Sequence, residues 1–161
     1  MRRSVGRVAI QAISAALFLS GCFLRNSPES FPVQRKLVRQ IEQTCTAGDS
    51  CRVRMRDVTG FAWDRMLVFA VGVTPAERKK AVGVEGVETI DLDGELVFTN
   101  DGKIVHQEPL PEGVEEPIKN EIWFAELTNT GQYATYSSDV VFRVARSTSR
   151  NGPSFSLSPI P

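Results

Sequence analysis

The hydrophobic period of this chain changes between residues 44 and 51, and that change limits the folds open to it. Val33, Leu37 and Ile41 recur every four residues with Val38 beside them, while Arg35, Lys36, Arg39, Gln40 and Glu42 fall elsewhere. One face of an α-helix collects residues so spaced. A helix is therefore predicted over Val33 to Thr44, with Pro32 suited to its first turn and Ser30 or Ser27 to its cap. From Cys51 the period is two: Cys51, Val53 and Met55 alternate with Arg52, Arg54 and Arg56. That pattern is a half-buried strand whose wet face carries three arginines. The helix stripe should then lie on a sheet.

Downstream, the apolar run Met66 to Val73 reads as a central strand. Thr74-Pro75-Ala76-Glu77 opens a second, short helix: the threonine can cap, proline fits the first helical position and the glutamate completes a capping box. This helix is expected to reach Val82 and stop at Gly83. Glu95 to Thr99 and Lys103 to Gln107 flank Asn100-Asp101-Gly102, which marks a hairpin. Residues 108–121 hold Glu108, Glu112, Glu115, Glu116 and Glu121 against Lys119, the composition of a solvated loop. Glu121 to Thr128 and Asp139 to Ala145 are read as a closing pair of strands. The tail from Ser147, rich in Ser, Pro and Arg, is read as loose. The fold class that follows is α+β: a mostly antiparallel sheet with the N-terminal helix and the second short helix packed on one face. Residues 32–147 form the single domain and 148–161 a flexible C-terminal tail.

The amino terminus is of a different kind. Arg2, Arg3 and Arg7 precede an apolar run from Val8 to Leu19, broken only by Gln11 and Ser14. That run has the length of a signal-peptide core and is too short for a membrane-spanning helix. Leu19-Ser20-Gly21-Cys22 follows, and this stretch resembles the lipobox of bacterial lipoproteins. The resemblance implies cleavage after a signal peptide of residues 1–21 and lipidation of Cys22, with residues 22–31 as the tether. It also implies display in the bacterial cell envelope. Phe23, by resemblance to enterobacterial sorting, favours the outer membrane facing the periplasm. Two or three acyl chains, at about 0.8 kcal/mol per buried methylene, make such attachment effectively permanent.

Composition supports a folded domain behind that anchor, with 42% hydrophobic and 24% charged residues. The chain has 19 basic and 19 acidic residues. Losing three arginines with the signal peptide leaves a net charge of about −3, which argues against nucleic acid as a partner. With Cys22 lipidated, Cys45 and Cys51 remain as a pair, and an oxidising periplasm favours a disulfide between them. His106 is the only histidine, so no soft or imidazole ligand set for a metal is expected, nor any other cofactor. Asp91-Leu92-Asp93-Gly94-Glu95 has part of the spacing of a calcium loop but lacks the third alternating ligand and the distant glutamate. It is read as an Asp-Gly turn.

No nucleophile-histidine, zinc-protease or phosphate-loop signature occurs, so the chain is not expected to be an enzyme. Candidate binding residues are Trp63 and Asp64 ahead of the central strand, the arginines 52, 54 and 56, and the loop acids Glu112, Glu115 and Glu116. Phe61-x-Trp63-Asp64 with Phe69, a Thr-Pro-x-Glu helix start and a later Asp-Gly hairpin resembles small uncharacterised bacterial envelope proteins over residues 55–107, which implies a fold more than an activity. The expected function is a membrane-anchored periplasmic inhibitor or immunity protein acting on an envelope enzyme such as a peptidoglycan hydrolase. On that reading the acidic loop suits a cationic partner. The alternatives are a structural or assembly accessory of the outer membrane or a secretion system, whose arginine stripe touches lipid or a subunit, and an enzyme using Asp91, Asp93 or Glu95.

Overall fold

The computed structural model describes residues 31–45, 51–83, 94–110, 121–130, 132–149 and 152–161. The helical stripe forms α1 (Pro32–Thr44), and the alternating segment forms β1 (Cys51–Arg54) followed by a helical turn, α2 (Met55–Val58). Next come β2 (Arg65–Phe69), α3 (Pro75–Val82), β3 (Gly94–Asn100) and β4 (Lys103–Leu110). The chain closes with β5 (Glu121–Phe124), α4 (Ala125–Thr130), β6 (Tyr133–Ser137), β7 (Val141–Ser149) and β8 (Gly152–Pro159). The strands form two four-stranded sheets, one in the order β1-β7-β8-β5 and the other β4-β3-β2-β6. Every described pairing is antiparallel except that of β5 with β8. The α+β class expected from the sequence is the class observed.

Alternation in the strands decides the layering. Met66 and Val68 of β2 enter a core that also takes Val53, Phe142, Val144, Phe155 and Leu157 of the first sheet, together with Val33, Leu37 and Ile41 of α1. Leu67 and Phe69, on the opposite face of β2, meet Val73 and Val82 around α3. The second sheet is thus covered on both faces, which is why β2 reads as a continuous apolar run. This corrects one expectation: α1 and α3 lie on opposite faces of the second sheet, not on one. Full burial of Leu37 or Ile41 contributes about 1.5–3 kcal/mol each, so α1 is held by its stripe more than by helix propensity.

Three local devices position these elements. At α3 the capping box forms as predicted, with Glu77 accepting from the Thr74 backbone N–H at 2.9 Å and Gly83 ending the helix at φ 75°. At the β3–β4 hairpin, Asp101 and Gly102 take φ values of 50° and 70°, the twist that a tight turn between right-twisted strands requires. The start of α1 departs from expectation. Ser27 and Ser30 lie outside the described residues, and the residue before the helix is Phe31, whose side chain makes no capping hydrogen bond. Glu108 of β4 does the work from a distance, accepting from the backbone N–H groups of Val33 at 3.1 Å and Gln34 at 3.0 Å. A carboxylate there meets the positive end of the helix dipole and satisfies two orphan donors.

Two further expectations are corrected. The segment after Ser147 is not a loose tail: β7 continues to Ser149, and β8 is an interior strand between β7 and β5, with Phe155 and Leu157 buried. The domain therefore extends through residue 159. Nor do residues 121–128 and 139–145 pair with each other. β8 separates β5 from β7, and the chain after Phe124 turns into α4.

Candidate binding face

Most of the chemistry that the sequence singled out is spent inside the fold. Trp63 is only 5% exposed, donates its indole N–H to the Thr59 hydroxyl at 2.8 Å and packs edge-on against Phe98 at 5.2 Å. The structure places it in the core and not at a surface where a partner could reach it. Asp64 is exposed, and its carboxylate accepts from the Asp101 backbone N–H at 2.8 Å and the Thr99 hydroxyl at 3.0 Å. It thereby ties the start of β2 to the β3–β4 turn, and the Asp101 N–H holds its carboxyl below the usual range.

The other candidate acids and bases divide in the same way. Glu95 is 0% exposed on the α3 side of β3, where it meets the buried guanidinium of Arg78 at 2.7 Å and the amide of Gln107. Burial pushes its carboxyl up, against the pull of Gln107 and Arg78. His106 Nε2 lies 2.8 Å from the Glu108 carboxylate that caps α1, with its ring 5.0 Å from that of Phe61. Asp91, Asp93, Glu112, Glu115 and Glu116 lie outside the described residues, as does Cys22. Cys45 and Cys51 form a disulfide, with Cα atoms 5.3 Å apart, that joins the end of α1 to the start of β1. Among the described residues no group of three or more His, Cys, Asp and Glu is placed to hold a metal ion.

The arginine stripe is rearranged. Arg52 and Arg54 stand on the outer face of β1, away from the core. Arg56 does not continue the row, because the chain turns helical at Met55, and its guanidinium donates to the Ser138 hydroxyl at 2.8 Å. A different arginine takes its place. Arg143 of β7 pairs directly opposite Arg52, and directly paired residues share a face of a sheet. Register places Ser158 beside Arg143, and Ala145, Ser156 and Trp123 in the next row across β7, β8 and β5. Trp123 is 47% exposed.

This outer face of the first sheet is flat in its middle, where the side chains are Ala145, Ser156 and Ser158, and carries its large groups at two places. Arg52 and Arg143 sit at one, with Cβ atoms about 4.5–5.5 Å apart by antiparallel geometry. Trp123 stands about 12 Å from Arg143, two strands across and one pleat repeat along. Arg54 and Arg56 are partly balanced by Asp139, whose carboxyl is held below the usual range chiefly by the Ser137 hydroxyl and further by these two arginines. Arg52 and Arg143 make no ion pair or side-chain hydrogen bond among the described residues. Like charges directly opposed across a strand pair are mildly destabilising, and both of these side chains are exposed.

Sequence reading could place Arg52 and Arg54 on a wet face, but not Arg143 or Trp123 beside them. Arg143 lies in a segment that alternates with Phe142 and Val144, which tells its face and not its neighbour. Trp123, between Ile122 and Phe124, lies in a run with no alternation to orient it. The chain has no match among protein-family models, curated proteins or solved structures.

Proposed function

We propose that this protein is a lipid-anchored lipoprotein of the bacterial envelope that acts by binding another protein, as an inhibitor or immunity protein directed at an envelope-acting enzyme such as a peptidoglycan hydrolase. The observation that carries the reading is the outer face of the first sheet, where Arg52 and Arg143 have no ion-pair partner among the described residues and Trp123 is half-exposed. Arginine and tryptophan are, with tyrosine, the residues enriched where protein interfaces concentrate their energy. By contrast His106, Glu108, Glu95 and Asp64 are all engaged in holding the fold. The lipobox-like Cys22 supplies the anchor on this reading, and the Cys45–Cys51 disulfide suits an oxidising compartment.

The test is purification of the native protein from envelopes after mild cross-linking. The reading expects a lipid mass on Cys22 and a stoichiometric protein partner whose hydrolytic activity falls when the purified lipoprotein is added back. Recovery of a lipidated protein with no protein partner would refute the inhibitor reading. Envelope-integrity defects on deletion in pure culture would then favour the second reading, an assembly or structural accessory using the same arginines.

A further inference from the structure

We propose that the surface seated on this face is an acidic protein surface, with its carboxylates taken by Arg52 and Arg143 as a couple and an apolar group set against Trp123. This rests on the reading of the face as the protein's binding surface and names the chemistry it accepts.

Three features select carboxylates on a protein. The cations are arginines, whose planar forks match carboxylate oxygens two at a time, and no lysine stands on the described part of this face. They are adjacent, so each raises the electrostatic cost of the other until an anion neutralises both. They also stand out from Asp139, which serves Arg54 and Arg56 at the far end of β1. The small residues between the couple and Trp123 let a partner backbone come close, and Ser156 and Ser158 offer hydroxyls that can donate or accept. Trp123 then supplies the apolar anchor at the rim. An anionic bilayer would share the attraction to arginine, but membrane-seated faces set several aromatics at the interface, whereas Trp123 is the only exposed large apolar residue on this face among those described.

The test uses ¹⁵N-labelled residues 23–161, which contain every element of the described fold. The probes are a hexaglutamate peptide, a hexalysine peptide and phosphatidylglycerol vesicles. The signals followed are the arginine Nε–H groups and the two indole N–H groups. The expected result is saturable movement of the Arg52 and Arg143 signals with hexaglutamate, with the Trp123 indole following and the buried Trp63 indole still. The apparent affinity should fall about tenfold or more between low and physiological salt. The Arg52→Glu, Arg143→Glu double variant alters two exposed side chains; it should keep the parent spectrum elsewhere, lose the hexaglutamate response and gain one to hexalysine. No response to hexaglutamate, movement spread over other exposed arginines such as Arg39, or a response to vesicles alone would each overturn the proposal. The binding-protein reading is separable: a hydrolase partner recovered from envelopes while hexaglutamate leaves Arg52 and Arg143 unmoved removes the acidic chemistry and spares the function.

Discussion

Replacing Glu95 with glutamine takes from the guanidinium of Arg78, buried between α3 and the second sheet, the carboxylate charge that meets it. The pair is 2.7 Å apart, with side chains 1% and 0% exposed. Arg78 also donates its Nε–H to the Val73 carbonyl at 3.1 Å and stacks 5.7 Å over the Phe69 ring, so it cannot swing into water without opening that layer. Breaking such a buried pair from one side costs about 3–5 kcal/mol. For a domain of this size the melting temperature should fall by about 10 °C or more. The intact pair is not thereby a strong net stabiliser: burial outweighs both Arg78 and Gln107 in setting the Glu95 carboxyl, the sign of desolvation not fully repaid. The Arg78→Met, Glu95→Leu double variant removes both charges and should return to within about 1 kcal/mol of the parent or exceed it, less about 1 kcal/mol for each hydrogen bond that Arg78 gives up, the one to Val73 among them. Urea unfolding of the parent, Glu95→Gln and the double variant checks this through midpoints at constant slope. A single variant within about 0.5 kcal/mol of the parent, or a double variant worse than the single, would refute the reasoning.

Other outcomes follow from the same structure. Phe155→Ala in β8 should cost about 3–5 kcal/mol, and ending the chain at residue 151 should abolish cooperative unfolding, both readable by circular dichroism. Opening the Cys45–Cys51 disulfide, or replacing both cysteines with alanine, should lower stability by about 2 kcal/mol, because the closed loop is short; denaturation with and without a reductant measures it. Asp64 has its carboxyl held below the ordinary value of 3.8 by the Asp101 N–H, so its contribution is present above that value and is lost as the pH falls through the lowered one. Melting curves taken down to about pH 2.5 should therefore fall less steeply for Asp64→Asn than for the parent, and identical pH profiles would contradict that assignment.

How much was legible in the sequence depended on whether a signal was local. The α1 stripe, the Thr74–Glu77 capping box and the Asn100-Asp101-Gly102 turn are complete within a few residues, and each appears where it was read. Met55 shows the limit of alternation: a strand would bury it after Val53, but so does a helical turn burying Met55 and Val58 three apart. β8 carries a period of two in Phe155 and Leu157, yet its serines and prolines resemble a loose tail until β7 and β5 close on either side. Nothing local in Glu77-Arg78-Lys79-Lys80 marks Arg78 as buried; Glu95 of β3, the Val73 carbonyl and the Phe69 ring meet it only once the layer is formed. The binding face lies at the same distance from legibility, since Arg52, Arg143 and Trp123 come from three strands that only the sheet order brings side by side. The covered second sheet could have been read, because Met66 to Phe69 is apolar on both faces and needs a layer on each.

Site-specific photo-cross-linking in cells expressing the full chain tests the central claim most directly. With p-benzoylphenylalanine at position 123 or 143, the account expects the same discrete protein adduct from both. At Lys79 or Lys80, exposed on α3 across the second sheet, it expects none. An adduct at positions 79 and 80 with none at 123 and 143 would contradict it.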